Sequence, residues 1–420
     1  MDILKKVEEY LFYIFVFSVP FQIRVFVYEW GGPKDEFLSA FFYFTDALLL
    51  SIFVLWVIRG LKIKLDRYDF WLFGFVLISF LALFKISYTG FAYYQALKIL
   101  EFIFLYFYIK SSTKQIDLSN TLYVFIFSGL FQSLLGIYQF LSQGNLGLKY
   151  IGETILSQDM AGIAKIDTEN GKMIRSYGTF THPNVLAAYL FFSIAFFYYL
   201  LIEKAKKFSW LDVFIFSSLV LGFFLTFSRS SFLVFFLFSL VIFLKYKKKS
   251  IIRKYVIFSA VLFLIFSAVF FSELSPRADI FSETENINLR LTYNSVAERF
   301  IEDNWLIGVG PGNFVNSFKD LDIFSEEMSF AYQPVHNVYL LIASEIGVIG
   351  FFAFLVFFAF LFKEFRKNIK NEDSDIVLLG LLFSVALLFL FDHYFWDLQQ
   401  GRLILWFLFG VLMYRAGRKM

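Results

Sequence analysis

The sequence predicts an all-α integral membrane protein with about twelve membrane-spanning helices, and its composition and the grouping of its apolar residues support this fold class. Of the 420 residues, 59% are hydrophobic, 23% are aromatic and only 17% are charged, and the mean hydropathy is +0.67. A soluble domain has about 45–50% apolar and about 25% charged residues. The apolar residues also gather in stretches near the roughly 20 residues that a helix needs to cross a membrane. We therefore treat residues 1–420 as a single membrane domain.

The charge balance and the cysteine count exclude several classes of function. Lys and Arg number 38 against 35 Asp and Glu, so the net charge of +3 does not indicate a nucleic-acid partner. The chain has no cysteine, which excludes disulfides, thiolate metal sites and a cysteine nucleophile. Two Asp-X-Asp pairs are weak metal candidates, because 320–322 lacks the further nearby carboxylates of a hard-cation site and 373–375 falls in a predicted cytoplasmic segment. We expect neither a metal nor another cofactor.

Polar breaks divide the chain into twelve predicted spans. They lie at about 10–28, 37–58, 68–84, 91–109, 115–141, 184–202, 210–227, 231–244, 255–271, 336–362, 375–391 and 403–413. The first span runs on without a small-residue cleavage site, which favours a retained helix over a signal peptide.

The basic residues of the connecting segments predict the orientation. One set of alternate segments holds 24 Lys and Arg in 59 residues, and the other set holds 12 in 134. Cytoplasmic loops carry the excess of Lys and Arg, so both termini are expected in the cytoplasm. The extracytoplasmic side then has two long loops, 142–183 and 272–335, the second directly before the tenth span. Long loops are usually functional or disordered, so we expect the functional site on this side.

The first polar segment on that side runs from Arg175 to Asn184, with the sequence RSYGTFTHPN. Pro183 suits the first position of a helix, and the unpaired N–H groups of a first turn can face an anion. The alternative is a plain loop-to-helix junction, with His182 or Thr181 as the cap and Arg175 at the lipid headgroups. The residues alone leave both interpretations open.

Two arginines in later segments are candidates for binding an anion. Arg229 lies in a predicted three-residue turn, where its guanidinium is a fixed donor fork for a phosphate or carboxylate; the alternative is an arginine that only snorkels to water. Arg290 lies on a predicted amphipathic helix, beside the i, i+3, i+4, i+7 series Tyr293, Val296, Ala297 and Phe300. After this helix, the glycines at 308, 310 and 312 predict a sharp rigid turn, because they lack the GxGxxG spacing of a nucleotide loop.

The remaining candidates surround two further histidines, His336 and His393. His336 is predicted to start the tenth span, where it is either a general base or a cap, and Glu345 follows nine residues deeper. Asp392 and His393 open a polar turn, 392–402, wrapped in interfacial aromatic residues. Four ionisable residues fall inside predicted spans and are functional suspects by position: Arg24, Asp46, Lys98 and Glu101. Lys98 and Glu101 are expected to pair on one helix face.

Four of these segments together resemble the O-antigen ligase and polymerase superfamily of bacterial envelope glycan transferases. The matching pieces, within about 175–350, are in order RSYGTFTHPNVLAAYL, FSRSSFL, RLTYNSVAERFIEDNWLIGVGPGNF and HNVYLLIASEIGVIG. Each piece is short, and the specificity comes from their shared order on one face. The twelve-helix topology with its largest outer loop before the tenth span also agrees.

The resemblance implies a GT-C-like membrane glycosyltransferase, inverting and metal-independent, on the periplasmic face of the bacterial inner membrane. It would move a glycan from a polyprenyl-diphosphate carrier to an acceptor hydroxyl of a glycolipid, with no nucleic-acid partner. The residues associated with activity in the ligase branch correspond here to Arg229, Arg290, His336 and Asp392. The expected substrate-binding residues are Arg175, His182, Asn184, Asn337 and Glu345. Asn337 departs from the ligase pattern, which often has serine after the histidine.

Two alternatives to a ligase remain open at this stage. A ligase transfers the glycan to a lipid A core, whereas a polymerase extends another lipid-linked repeat by the same chemistry, and no segment identifies the acceptor. The rival class is a secondary transporter, which twelve helices alone would suggest. Transporters often have repeated halves and midplane sites, whereas the polar segments here lie at the outer rim and no repeat is visible.

Overall fold

A computed structural model of the chain describes residues 2–30, 36–84, 89–112, 115–160, 162–168, 171–204, 209–246, 250–278, 284–368 and 373–417. The described helices are α1 (Asp2–Ser18), α2 (Phe44–Ile58), α3 (Asp69–Ala82), α4 (Thr89–Ser111), α5 (Leu118–Ser142), α6 (Pro183–Glu203), α7 (Trp210–Phe224), α8 (Arg229–Lys245), α9 (Ser250–Val269), α10 (Phe271–Ala278), α11 (Thr284–Asp303), α12 (Phe314–Lys319), α13 (Val338–Asn368), α14 (Asp373–Leu388), α15 (Tyr394–Asp397) and α16 (Gln399–Gly417). Two antiparallel hairpins join β1 (Arg24–Glu29) to β2 (Ser39–Tyr43) and β3 (Lys165–Thr168) to β4 (Gly171–Ile174).

The chain is a mostly helical, multi-pass membrane protein, and each predicted span contains a helix. Four helical segments are long and apolar enough to cross a membrane, judged by length and composition: Leu118–Ser142, Pro183–Glu203, Ile251–Val269 and Val338–Lys367. Four shorter helices are also apolar: Phe44–Ile58, Asp69–Ala82, Trp210–Phe224 and Ser374–Leu388. The full set of twelve crossings remains a prediction.

The first predicted span is wrong in its second half. Helix α1 ends at Ser18, and the residues that follow form β1, which pairs with β2 from Arg24 opposite Tyr43 to Glu29 opposite Ser39. Valine and aromatic residues favour strands, and hydropathy alone cannot separate a short apolar strand from a helix. The second predicted span likewise begins with β2 instead of helix, so the hairpins are the exception to the all-α prediction.

Helix α6 is the centre of the bundle. It is buried at every residue from Val185 to Leu201, since neighbouring helices surround it. Phe125 of α5 stacks on Tyr189 of α6 with ring centroids 4.4 Å apart, and on Phe407 of α16 at 5.5 Å. A helix that is apolar on all sides is expected to be buried in this way. The packing fixes the position of the α6 N-terminus, where the first candidate segment ends.

Ion pairs account for the four ionisable residues that the sequence analysis placed inside spans. Lys98 pairs with Asp46 and, as predicted, with Glu101, whose Oε2 lies 3.0 Å from the Lys98 ammonium nitrogen. Arg24 belongs to β1, and its Nη1 lies 2.5 Å from Glu36 Oε1. A buried charge that has a partner avoids most of the cost of leaving water. These residues therefore have structural roles that need no ligand.

Candidate functional site

A cavity of about 650 Å³ lies where the starts of α6, α8 and α13 meet α11. Six of the nine predicted site residues line it, although they come from four separate segments of the chain: Arg175, His182, Asn184, Arg229, Arg290 and His336. Its apolar lining includes Phe227, Leu233, Ile287, Leu289, Phe330 and Phe391. The cavity therefore combines three arginines, two histidines and a substantial apolar surface.

The segment 175–182 reaches the cavity because two glutamines of α5 hold its backbone. Gln139 Oε1 accepts hydrogen bonds from the N–H groups of Tyr177 at 3.1 Å and Gly178 at 2.7 Å, and Gln132 Oε1 accepts one from Thr179 at 2.8 Å. Gly178 has a φ of 60°, and a Cβ there would lie 2.5 Å from Gln132 Oε1. Irregular backbone is tolerated among membrane helices where protein groups satisfy it, as they do here.

Arg175 and Asn184 form a bonded chain that ends at Asp392. The Arg175 Nε donates to the carbonyl of Thr226 at 2.6 Å, and its Nη2 donates to Asn184 Oδ1 at 2.9 Å. Asn184 Nδ2 then donates to Asp392 Oδ2 at 2.8 Å. Arg175 and Asp392 are each only 6% exposed. Asp392 thus lies behind the cavity wall and helps to hold it.

His182 is the N-cap of α6. Its Nδ1 accepts the backbone N–H of Asn184 at 3.1 Å, and Pro183 takes the first helical position, as the sequence predicts. Of the two interpretations of this segment, the capping role of His182 is therefore correct. Because a cap and a wall of the cavity are compatible, His182 also remains a candidate for contact with a ligand.

Arg229 is the first residue of α8, so the predicted turn at 228–230 lies slightly earlier in the chain. Helix α7 ends at Phe224, and the turn between the helices includes Phe227 with a left-handed φ of 51°. Ser228 precedes the helix as its N-cap residue. Arg229 is exposed and lines the cavity. Its guanidinium is therefore placed at a helix N-terminus, which favours anions.

Arg290 lies on α11 and is exposed, whereas the apolar series Tyr293, Val296, Ala297 and Phe300 on the same helix is buried. The Arg290 Nη1 lies 3.5 Å from the carbonyl oxygen of Phe391, at the limit of a hydrogen bond. This weak contact leaves the guanidinium accessible from the cavity.

His336 lies just before α13 and contacts two rings. The ring of Tyr293 is stacked on it, with centroids 5.6 Å apart and planes 9° apart, and the ring of His393 meets it edge-on at 4.8 Å and 89°. The Nδ1 of His336 is buried, and no hydrogen bond to it occurs within the described residues. The helix cap is supplied by the next residue, Asn337, whose Oδ1 accepts the N–H groups of Tyr339 and Leu340. His336 is therefore not the cap, and Asn337, expected to bind substrate, has a structural role.

Glu345 lies outside the cavity. Its Oε2 accepts hydrogen bonds from the backbone N–H of Gly312 and the indole of Trp396, each at 2.8 Å. The glycine turn is as sharp as predicted, with φ values of 70°, 99° and 74° at 308, 310 and 312. A Cβ at Gly308 would lie 2.3 Å from the Glu345 carbonyl carbon. Glu345 therefore joins the glycine turn to the 392–397 turn, and we assign it this structural role instead of substrate binding.

The surroundings of the two cavity histidines favour the neutral form of each ring. Burial lowers the pKa of His182 to about 3, and the charge of Arg175 acts in the same direction. Burial also lowers the pKa of His336 to about 3, with His393 as the next contribution. Near pH 7 both rings are unprotonated, so each has a nitrogen lone pair. The His182 lone pair on Nδ1 is used by the helix cap, whereas His336 can accept a proton.

Behind His336 lies an ion pair, His393 with Asp397, that was not predicted from the sequence. The Nδ1 of His393 lies 2.7 Å from Asp397 Oδ2, and its Nε2 lies 3.8 Å from Asp392 Oδ1. Burial opposes the charge on His393, but Asp397 and Asp392 outweigh it and raise its pKa above the ordinary value. Burial likewise opposes the charge on Asp392, but His393, His336 and His182 outweigh it and lower its pKa to about 2. The i, i+4 spacing of His393 and Asp397 was a sequence signal for this pair.

His336, Asp392 and His393 form the one group within the described residues that could hold a metal ion. Donor atoms of His336, Asp392 and His393 all lie within 4.8 Å of one another. A tetrahedral ion with ligand bonds of about 2.1 Å separates its ligands by only about 3.4 Å. Because Asp397 and Asn184 already orient His393 and Asp392, we interpret the group as a charge pair beside a neutral histidine.

Comparison with known proteins identifies the region around the cavity. Residues 213–355 match the family Wzy_C, described as O-antigen ligase. The matched region covers about a third of the 420 residues and includes Arg229, Arg290 and His336. A search of curated proteins finds no match for this chain. The resemblance to the O-antigen ligase superfamily is thus confirmed over this region.

Proposed function

With an O-antigen ligase region identified at residues 213–355, we propose that the chain is a ligase-like glycosyltransferase. It transfers a glycan from a polyprenyl-diphosphate carrier to a hydroxyl of a lipid A core, on the periplasmic face of a bacterial inner membrane. The single observation that carries this proposal is the cavity that brings Arg229, Arg290 and His336 together.

The arginines suit the leaving group of this reaction. A polyprenyl diphosphate carries about two to three negative charges, and guanidinium groups bind phosphate oxygens through paired, charge-assisted hydrogen bonds. Arg229 and Arg290 are exposed at the cavity, and Arg229 also begins a helix whose N–H groups favour anions. As the bond to the anomeric carbon breaks, these donors stabilise the charge that grows on the diphosphate. The proposed reaction therefore needs no divalent metal.

His336 is the proposed general base. The acceptor oxygen attacks the anomeric carbon and forms the new glycosidic bond, while its proton passes to a ring nitrogen of His336. The bond from the anomeric carbon to the diphosphate oxygen breaks, and its electron pair leaves with the diphosphate. In-line attack opposite the leaving group inverts the anomeric carbon. A positioned base of this kind typically contributes about 10²- to 10⁴-fold to the rate.

The apolar part of the lining supports a lipid-linked donor. Leu233 of α8 and Ile287 and Leu289 of α11 line the cavity beside the arginines. A diphosphate held by Arg229 and Arg290 would thus have an apolar surface within reach of its polyprenyl chain. A soluble nucleotide-sugar donor has no comparable need for such a surface.

The native host offers the experiment that tests this function. Deletion of the gene is expected to remove long glycan chains from the outer lipid on a gel, while lipid-linked polymer accumulates. Lipid A cores capped with single repeats would instead identify a polymerase, which uses the same chemistry with another lipid-linked repeat as acceptor. An unchanged glycan pattern would contradict both assignments.

Two arginines of α11, Arg290 and Arg299, provide matched variants for complementation of the deletion strain. Arg290→Ala should fail to restore long chains in the deletion strain. Arg299→Ala should restore them, because Arg299 is an exposed arginine of the same helix that pairs with Asp303 at 3.6 Å and does not line the cavity. Equal complementation by both variants would remove the assigned role of Arg290.

A further inference from the structure

His393 is buried directly behind the proposed base. It is 6% exposed and does not line the cavity, yet its ring meets the ring of His336 edge-on with centroids 4.8 Å apart. On another side its ring meets that of Phe37, at 5.6 Å and 74°. His393 is therefore placed to act on the reaction through its neighbours and not by contact with a ligand in the cavity. Of these neighbours, His336 lines the cavity and contacts the ring of His393.

Two carboxylates hold the ring of His393. Asp397 Oδ2 lies 2.7 Å from Nδ1, and Asp392 Oδ1 lies 3.8 Å from Nε2. Asp392 is itself held, because its Oδ1 accepts the backbone N–H of His393 at 2.9 Å and its Oδ2 accepts Asn184 Nδ2 at 2.8 Å. Both carboxylates are therefore close enough to stabilise a positive charge on the ring of His393.

His336 has a second ring contact besides His393. The ring of Tyr293 stacks on it, and the Tyr293 hydroxyl donates to the carbonyl of Ala331 at 2.8 Å. Tyr293 and His393 together confine the imidazole of His336 to one plane. An imidazole that receives a proton in a reaction needs such confinement, since misplacement by about 1 Å can cost on the order of 100-fold in rate.

We propose that His393, as an imidazolium held by Asp397 and Asp392, is a positioning residue that fixes the ring of His336 and keeps it unprotonated until an anionic donor enters the cavity. A cation on one side of His336 opposes a second positive charge there. A diphosphate on the cavity side has the opposite effect and raises the affinity of His336 for a proton. His336 would therefore become an effective base only beside a bound donor. This inference rests on the proposed function.

The charged and titratable groups around this pair come from several elements. His393 faces Asp392, Asp397 and His336, and Arg290 of α11 also acts on it electrostatically. On His336, the groups His393, Arg290 and His182 oppose a positive charge, whereas Asp392 favours it. Among these groups, Asp392 and Asp397 favour the charge on His393, and Arg290 opposes it. Because its pKa is raised, His393 keeps its proton at a pH equal to the ordinary histidine pKa of about 6.5 and loses it only at higher pH.

The test is the pH profile of glycan transfer by the purified full-length chain, with lipid-linked donor and lipid A acceptor. In wild type we expect kcat to fall on the alkaline side as His393 loses its proton. His393→Gln should lower kcat by on the order of 10- to 100-fold with little change in KM, since only the position of the base is disturbed. Its alkaline limb should disappear, and an acid limb should appear as the pKa of His336 returns towards its ordinary value.

Two further variants keep the proposal testable. Asp397→Asn removes the charge that holds His393 while keeping the side-chain shape, and should shift the profile in the same direction as His393→Gln. Phe37→Leu removes only ring packing against His393, and should keep the shape of the wild-type profile. If His393→Gln fails to fold, the Asp397→Asn profile decides.

Each outcome has one meaning. Wild-type kcat and an unchanged pH profile in both His393→Gln and Asp397→Asn would overturn the positioning role. A shift in Phe37→Leu equal to that in Asp397→Asn would overturn it too, because packing would then explain the effect. If His336→Ala retains wild-type activity in the same assay, the proposed function itself fails. An inactive His336→Ala beside an unaffected His393→Gln rejects the further inference alone.

Discussion

Two sides of the cavity use the same side-chain types in different ways. We call Arg175, His182 and Asn184 the anchored wall, because their polar groups bond to one another, to Thr226 and to Asp392. We call Arg229, Arg290 and His336 the exposed wall, because the two arginines are exposed and the histidine is half-buried. Arg175 is 6% exposed and makes two hydrogen bonds shorter than 3 Å, whereas the Nη1 of Arg290 lies 3.5 Å from the carbonyl oxygen of Phe391.

This difference indicates that the anchored wall maintains the structure of the site, whereas the exposed wall contacts the substrate. A buried guanidinium that is fully bonded to protein stabilises the fold, and removing it leaves partners without hydrogen bonds. An exposed guanidinium contributes little to stability but is available to a ligand. Substitutions in the anchored wall should therefore change stability first, and those in the exposed wall should change rate first.

Substitution of His336 and of His182 tests this comparison, and the expected difference in the rate of glycan transfer is the largest of those considered. His336→Ala should lower the rate of glycan transfer by about 10²- to 10⁴-fold, because the proposed base is lost. His182→Ala should lower the free energy of unfolding by about 1 kcal/mol, because it removes a helix cap, with a much smaller effect on rate. Initial rates and thermal unfolding of the two purified variants measure both quantities.

The two histidines are well matched, since burial lowers the pKa of each to about 3. A difference between the variants therefore reflects what each ring nitrogen contacts and not its intrinsic basicity. An equal loss of rate in both variants would show that the distinction between the two walls is wrong.

The two arginines give the next largest effect. Arg290→Ala should lower the rate by about 10²- to 10³-fold, as expected for one lost donor to a developing charge. Arg290→Lys should also be impaired, because a point charge does not reproduce the two-pronged contact of a guanidinium with phosphate. Both variants should unfold at the wild-type temperature. Steady-state kinetics and thermal unfolding in the same detergent provide the comparison.

Arg175→Ala is the counterpart in the anchored wall. It should lower the free energy of unfolding by about 1.5–3 kcal/mol, since hydrogen bonds of a buried charged group are lost. A stable Arg175→Ala protein with a rate loss as large as that of Arg290→Ala would move Arg175 to the exposed wall.

Removal of metal ions has the smallest expected effect. Transfer should continue at the wild-type rate after exhaustive chelation, because arginines supply the positive charge that the leaving group needs. The measurement is the initial rate with and without a strong chelator, followed by addition of single divalent ions. A strict requirement for one ion would direct attention to the group formed by His336, Asp392 and His393.

The sequence was sufficient to predict much of the cavity. Arg175, Arg229, Arg290 and His336 each lie in an outer-face segment whose polar residues interrupt the apolar stretches, and the order of these segments carried the family resemblance. The buried apolar series from Tyr293 to Phe300 was also visible, because helix periodicity is a local property. These signals depend on residues near one another in the chain.

What the sequence could not predict depends on contacts between distant segments. Glu345 was expected at the substrate, but its partners Gly312 and Trp396 are 33 and 51 residues away. His393 gained no role from the sequence, because its position behind His336 arises only when the ends of α13 and α14 meet. Residues 24–28 were assigned to a helix because hydropathy carries no information about strand pairing.

The most direct test of the central claim is to follow both products of one reaction. The purified chain, lipid-linked glycan and lipid A core should yield glycan-bearing lipid A together with an equal amount of polyprenyl diphosphate, and no soluble nucleotide should be needed. Uptake of a soluble substrate by vesicles that contain the chain, without any change in the lipid-linked glycan, would contradict the account and favour a transporter.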